Sequence, residues 1–181
     1  MLGKTAAHIF WIFRYLERCE NTARLINASH FISLTQKQNI ANHWDSILNV
    51  AGNKKSFLSK YGVINKAAVI NFTLRDKTNP SSVLSSIENA RKNARIVRNN
   101  LTKELFETIN ETYLKLSEIF RRPINEKNLL NTLSIIRTKC QLTRGTLHGT
   151  MLRDDTYIFA RMGSYIAVSY THLTLPTNRE V

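Results

Sequence analysis

Cysteine is nearly absent: Cys19 and Cys140 are the only two in 181 residues. They lie far apart, lack CxxC spacing and have no histidine at ligand spacing, which argues against a disulfide framework or a zinc site and makes a reducing compartment the expected setting. Glycine and proline are scarce too, at six and three, too few to punctuate many short strands. No apolar run reaches the ~20 residues needed to cross a bilayer. The most apolar stretch, Ala6 to Phe13, is followed by no small-residue cleavage site, and its period continues through Arg14, Glu17 and Arg18. Acidic residues number 13 against 26 Lys and Arg, a net charge of +13. Such an excess points to an anionic ligand or an offsetting protein partner and says nothing about fold. A cytoplasmic protein without metal or cofactor is the expectation.

What the chain does have is helical periodicity. With 43% hydrophobic and 22% charged residues it fits one globular domain. Ile9, Ile12, Phe13, Leu16, Cys19, Ala23 and Ile26 predict one long amphipathic helix from Thr5 to about Ser33. Further helices are predicted over Asn39 to Val50, Ser56 to Tyr61 and Lys66 to Leu74, the last because a single strand would have no partner. Asn79 is expected to cap the next helix, with Pro80 in its first position. Thr102 and Asn125 open two more, and the last begins at Asp154 or Asp155. The predicted fold class is all-α, a multi-helix antiparallel bundle. The period breaks at Val168, where VSYTHLTLPTNREV begins. Residues 1–167 therefore read as the domain and 168–181 as a non-native or disordered tail. Val168 to Thr177 is similar to a translated transposon-type sequencing adapter, which implies that the native chain was interrupted near Ala167.

Three constellations are candidates for chemistry. Glu17, Asn21 and Arg24 share a face of the first helix, with Arg14 and Arg18 adjoining it, and form a candidate polar pocket. Glu17 between guanidinium groups is expected to have a lowered pKa and to orient a bound amine or an arginine from another helix. The plainer alternative is a solvated ladder worth ~0.3–0.5 kcal/mol per pair. Arg91, Arg95 and Arg98 form a stripe of like charge, and with Ser81 and Ser82 at the preceding helix start they make a candidate anion site. Arg144, Gly145, His148, Gly149 and Arg153 form the third. The two helical glycines suggest close packing or a ligand approaching the backbone. No catalytic constellation is recognisable: GxSxG, HExxH, P-loop and dinucleotide motifs are all missing.

Three ordered segments resemble the Alpha-E family, a bacterial helical domain of unknown function with a Glu-Arg motif. HIFWIFRYLERCENTARLIN (His8 to Asn27) is similar to its opening signature, with Glu17-Arg18 as the pair. NPSSVLSSIENARKNARIVR (Asn79 to Arg98) and GTMLRDDTYIFARMGSYI (Gly149 to Ile166) are similar to its second and third. Phe13 departs from the usual glycine, and Lys92 from the usual glutamate. In the family a second Tyr-x-Glu-Arg helix follows, which Tyr157 to Ile166 would begin, with Tyr165 matching Tyr15. The resemblance implies that the chain is roughly the first half of a family member. It also implies a setting beside an ATP-grasp-type ligase and a transglutaminase-like protein, hence an accessory role in forming a peptide or amide bond. The alternative is a basic module binding nucleic acid or another polyanion.

Overall fold

A computed structural model gives the backbone of residues 2–35 and 40–174, with side chains described for 2–34 and 44–166. Within these residues the chain forms α1 (Gly3–Thr35), α2 (Ile40–Val50), α3 (Lys54–Tyr61), α4 (Lys66–Leu74), α5 (Val83–Ile96), α6 (Lys103–Ile119), α7 (Glu126–Thr150) and α8 (Asp155–Thr174). The fold is an all-α bundle, as its periodicity predicts. Helix α1 is the axial element. It packs against α5, α7 and α8, while α6 bridges α5 and α7. Each residue of its apolar stripe, from Ile9 to Ile26, is buried. With Phe57, Phe72, Ile87, Leu105, Ile109, Leu133 and Ile136 they make one continuous core.

Local chemistry sets the helix ends. Thr102 accepts from the Leu105 amide at the start of α6, and Asn125 forms a reciprocal capping box with Asn128 at the start of α7. The start of α5 corrects the sequence expectation. Ser82, not Asn79, is the cap, its hydroxyl accepting from the Ser85 amide. Asn79 instead accepts from the Ser81 amide at 2.9 Å and donates to the Phe72 carbonyl at 3.2 Å. This local Asx turn places Pro80 in the turn before the helix. Asp76 fastens α3 to the turn after α4 by accepting from Lys60 at 2.6 Å and from the Tyr61 hydroxyl at 2.8 Å.

The backbone of α8 continues through Val168 to Thr174. Side-chain preferences against helix amount to only about 0.7 kcal/mol per residue, too little to stop a helix already nucleated in packed residues. The remaining seven residues of the expected tail lie outside the described residues. Gly145 and Gly149 are exposed, and a Cβ on either would meet nothing within 4 Å, so neither serves close packing. The glycine that does is Gly163 in α8, where an added Cβ would run into the Phe10 backbone, including its carbonyl carbon at 3.1 Å.

Candidate functional site

The apolar stripe of α1 contains an acid. Glu20 lies between Leu16 and Ala23 on the face that meets α7, and its side chain is 1% exposed. A buried carboxylate needs partners, and four hydrogen bonds reach it. Arg24 donates from Nε at 3.1 Å and from Nη2 at 2.5 Å, Gln141 donates at 3.5 Å, and Arg144 of α7 forms an ion pair with its other oxygen. Glu17, one turn earlier and also buried, lies 3.2 Å from the same Arg144 nitrogen. Two carboxylates and two guanidinium groups thus form a charge-balanced cluster where α1 meets α7. Glu17, Arg144, Cys140 and Phe13 line a cavity of about 10 Å³ with Leu16 and with Ser164 of α8, which is room for one water.

Glu17 is raised above its ordinary value, where the sequence predicts a lowered one. Burial raises it most; Arg144 opposes that, Glu20 adds to it and Arg24 opposes again. The expected partners are turned elsewhere: Arg14 lies over the Trp11 ring at 5.8 Å and Arg18 over Tyr15 at 5.7 Å. One of the two roles foreseen for Glu17, orienting an arginine from another helix, is met by Arg144. Asn21 is partly buried, and Arg24 is exposed apart from its hold on Glu20. The adjoining thiols are not reactive. Cys19 donates to the Val83 carbonyl at 3.6 Å, and burial pushes it up to about 12. Burial raises Cys140 as well, with Cys19 and the carboxylates of Glu20 and Glu17 adding to it.

The arginine stripe does not join this cluster. Arg91 donates to Asn110 Oδ1 at 2.7 Å and sits 4.4 Å from the Tyr113 ring centroid, while Arg98 sits 4.9 Å from that of Phe106. The pairs run in opposite order along α5 with the 3-10 turn that follows it (Arg98–Asn100) and along α6, so antiparallel packing makes a two-rung ladder of cation–π contacts. Aromatic faces on α6 thereby meet two of the three guanidinium groups of the stripe. Arg95 is exposed, Ser81 is partly buried and Ser82 is fully buried as a cap.

Sequence reasoning missed Glu20, Gln141 and Ser164, and placed Arg144 with the wrong partners. The signal was present for Glu20: an acid on the apolar line of α1, four residues before an arginine. Among the described residues no group of three or more His, Cys, Asp or Glu could hold a metal ion, and no helix is long and apolar enough to cross a membrane.

No curated protein and no solved structure matches the chain. The family model described as a predicted alpha-helical domain with a conserved ER motif matches residues 1–169. Within the matched residues the chain has one Glu-Arg pair, Glu17-Arg18, whose acid lies inside the bundle against Arg144. The chain belongs to the Alpha-E family.

Proposed function

We propose that this chain is a cytoplasmic accessory component of an ATP-grasp- and transglutaminase-linked system that forms a peptide or amide bond. In this role Glu17 accepts a hydrogen bond from an amine of the substrate or partner at the cavity beside Ser164. The observation that carries the proposal is a motif carboxyl held inside the fold on a small polar cavity, with its proton affinity increased by burial. An amine must lose a proton to form an amide, and a carboxyl with a raised pKa is matched to receiving it. Arg144, anchored by Glu20, fixes the position of the Glu17 oxygen.

The test is co-purification of the chain with an ATP-grasp-type ligase and a transglutaminase-like protein from the same source. A stable complex is expected, weakened about tenfold or more by the paired change Glu17→Gln and Arg18→Gln, with circular dichroism unchanged. No complex, or one indifferent to the pair, would overturn the proposal. The net charge of +13 favours a second reading, binding of nucleic acid or another polyanion. Affinity for generic duplex DNA that falls steeply with salt, with no ligase complex, would establish that reading instead.

A further inference from the structure

A second polar cluster lies at the corner where α7 turns into α8. Arg161 Nη1 donates to the Tyr157 hydroxyl oxygen at 3.0 Å, and that hydroxyl lies 2.8 Å from His148 Nδ1. Arginine has no acceptor, so the tyrosine oxygen receives the guanidinium hydrogen. In the tautomer that carries the ring hydrogen on Nε2, His148 accepts the hydroxyl proton at Nδ1. The guanidinium of Arg161 is clamped between two aromatic rings, 5.8 Å from the Tyr157 centroid and 4.6 Å from that of Tyr165. The His148 and Tyr157 rings meet edge to face at 5.7 Å.

The charges that act on His148 are cationic. His148 is held below its ordinary value by burial first, then by the charges of Arg161, Arg144 and Arg153. Of these cations, Arg144 is already paired with Glu17 and Glu20. On the acidic side, Asp154 caps α8 by accepting from the Tyr157 amide at 3.2 Å, and Asp155 stands in the first turn of the same helix. Among the described residues Arg161 donates a hydrogen bond to the tyrosine oxygen alone, which takes one of its five hydrogens, and Arg153 is exposed. A guanidinium positioned against aromatic rings, with a second arginine and a ring nitrogen nearby, suits a planar or tetrahedral oxyanion.

We propose that the α7–α8 corner is a binding site for an oxyanion, the carboxylate or phosphate group of a small ligand, with Arg161, Arg153 and the His148 Nε2–H as its donors. It stands independently of the ligation role, since it uses neither Glu17 nor the cavity beside it. A bound anion favours imidazolium, and linkage makes the reverse equally true.

The test follows the His148 Cε1–H signal in the full chain by NMR, assigned with His148→Gln. Without an anion the midpoint lies below the ordinary histidine range. Saturating sulfate, a non-titrating stand-in for phosphate, is expected to raise it by about one pH unit, the tenfold preference that a hydrogen-bonded anion gives the charged ring. An acetate arm distinguishes a carboxylate site from a phosphate site by which probe saturates at lower concentration. Arg161→Gln is expected to abolish the response and the exposed Arg153→Gln to weaken it, with circular dichroism unchanged in both. A shift that never saturates, one that chloride reproduces at equal ionic strength, or one that survives Arg161→Gln would overturn the proposal.

Discussion

Replacing Glu20 with alanine is expected to destabilise the protein by about 3 kcal/mol, the low end for breaking a buried ion pair. Glu20 is 1% exposed and is the common acceptor for Arg24, Gln141 and Arg144. Its loss leaves Arg144 with Glu17 alone and opens a void in the α1–α7 seam. The cost stays at the low end because Arg144 and Arg24 are 37% and 55% exposed and can turn part of each guanidinium into water. Glu17→Gln should cost less than about 1 kcal/mol, since it removes a charge that burial already disfavours and leaves Glu20 on Arg144. Urea unfolding of the two variants checks this, and equal losses would show that Glu20 is not the hub.

The second large effect is one of sign. Gly163→Ala is expected to destabilise by about 2 kcal/mol, as overpacking does, because the new Cβ would meet the Phe10 backbone and no side chain can move aside. Alanine's better helix propensity, about 1 kcal/mol, offsets only part of the collision. The same substitution at Gly145, also inside a helix, meets nothing within 4 Å and should stabilise by about 0.5–1 kcal/mol. Thermal unfolding of the pair gives the answer, and two shifts of the same sign would mean that α8 does not cross α1 in close contact at Gly163.

Sequence periodicity placed the helices well because burial is linear in the chain: a residue on the stripe of α1 is inside whatever packs on it. It placed the caps less well, since Asn79 and Ser82 are both good caps and only the Phe72 carbonyl, brought near by the fold, makes Asn79 a turn residue. Site partners were the least legible. Arg144 is 124 residues from Glu20, and no spacing rule links them. The aromatic faces of Tyr113 and Phe106 were likewise invisible as partners of Arg91 and Arg98 until α5 and α6 were paired. The glycines of α7 drew attention by composition, whereas Gly163 matters by position.

The Glu17 carboxyl of the Glu-Arg pair lies inside the bundle, where burial outweighs the nearby guanidinium groups. A carboxyl raised in this way binds its proton more tightly folded than unfolded. Its stabilising contribution is therefore complete below the unfolded pKa and is lost as pH rises through the folded value. Titration of side-chain carboxyl carbons by NMR, with Glu17 assigned by Glu17→Gln, measures this directly. A midpoint above the ordinary 4.5 is expected, and a midpoint at or below it would place Glu17 on a solvated ladder and remove the site.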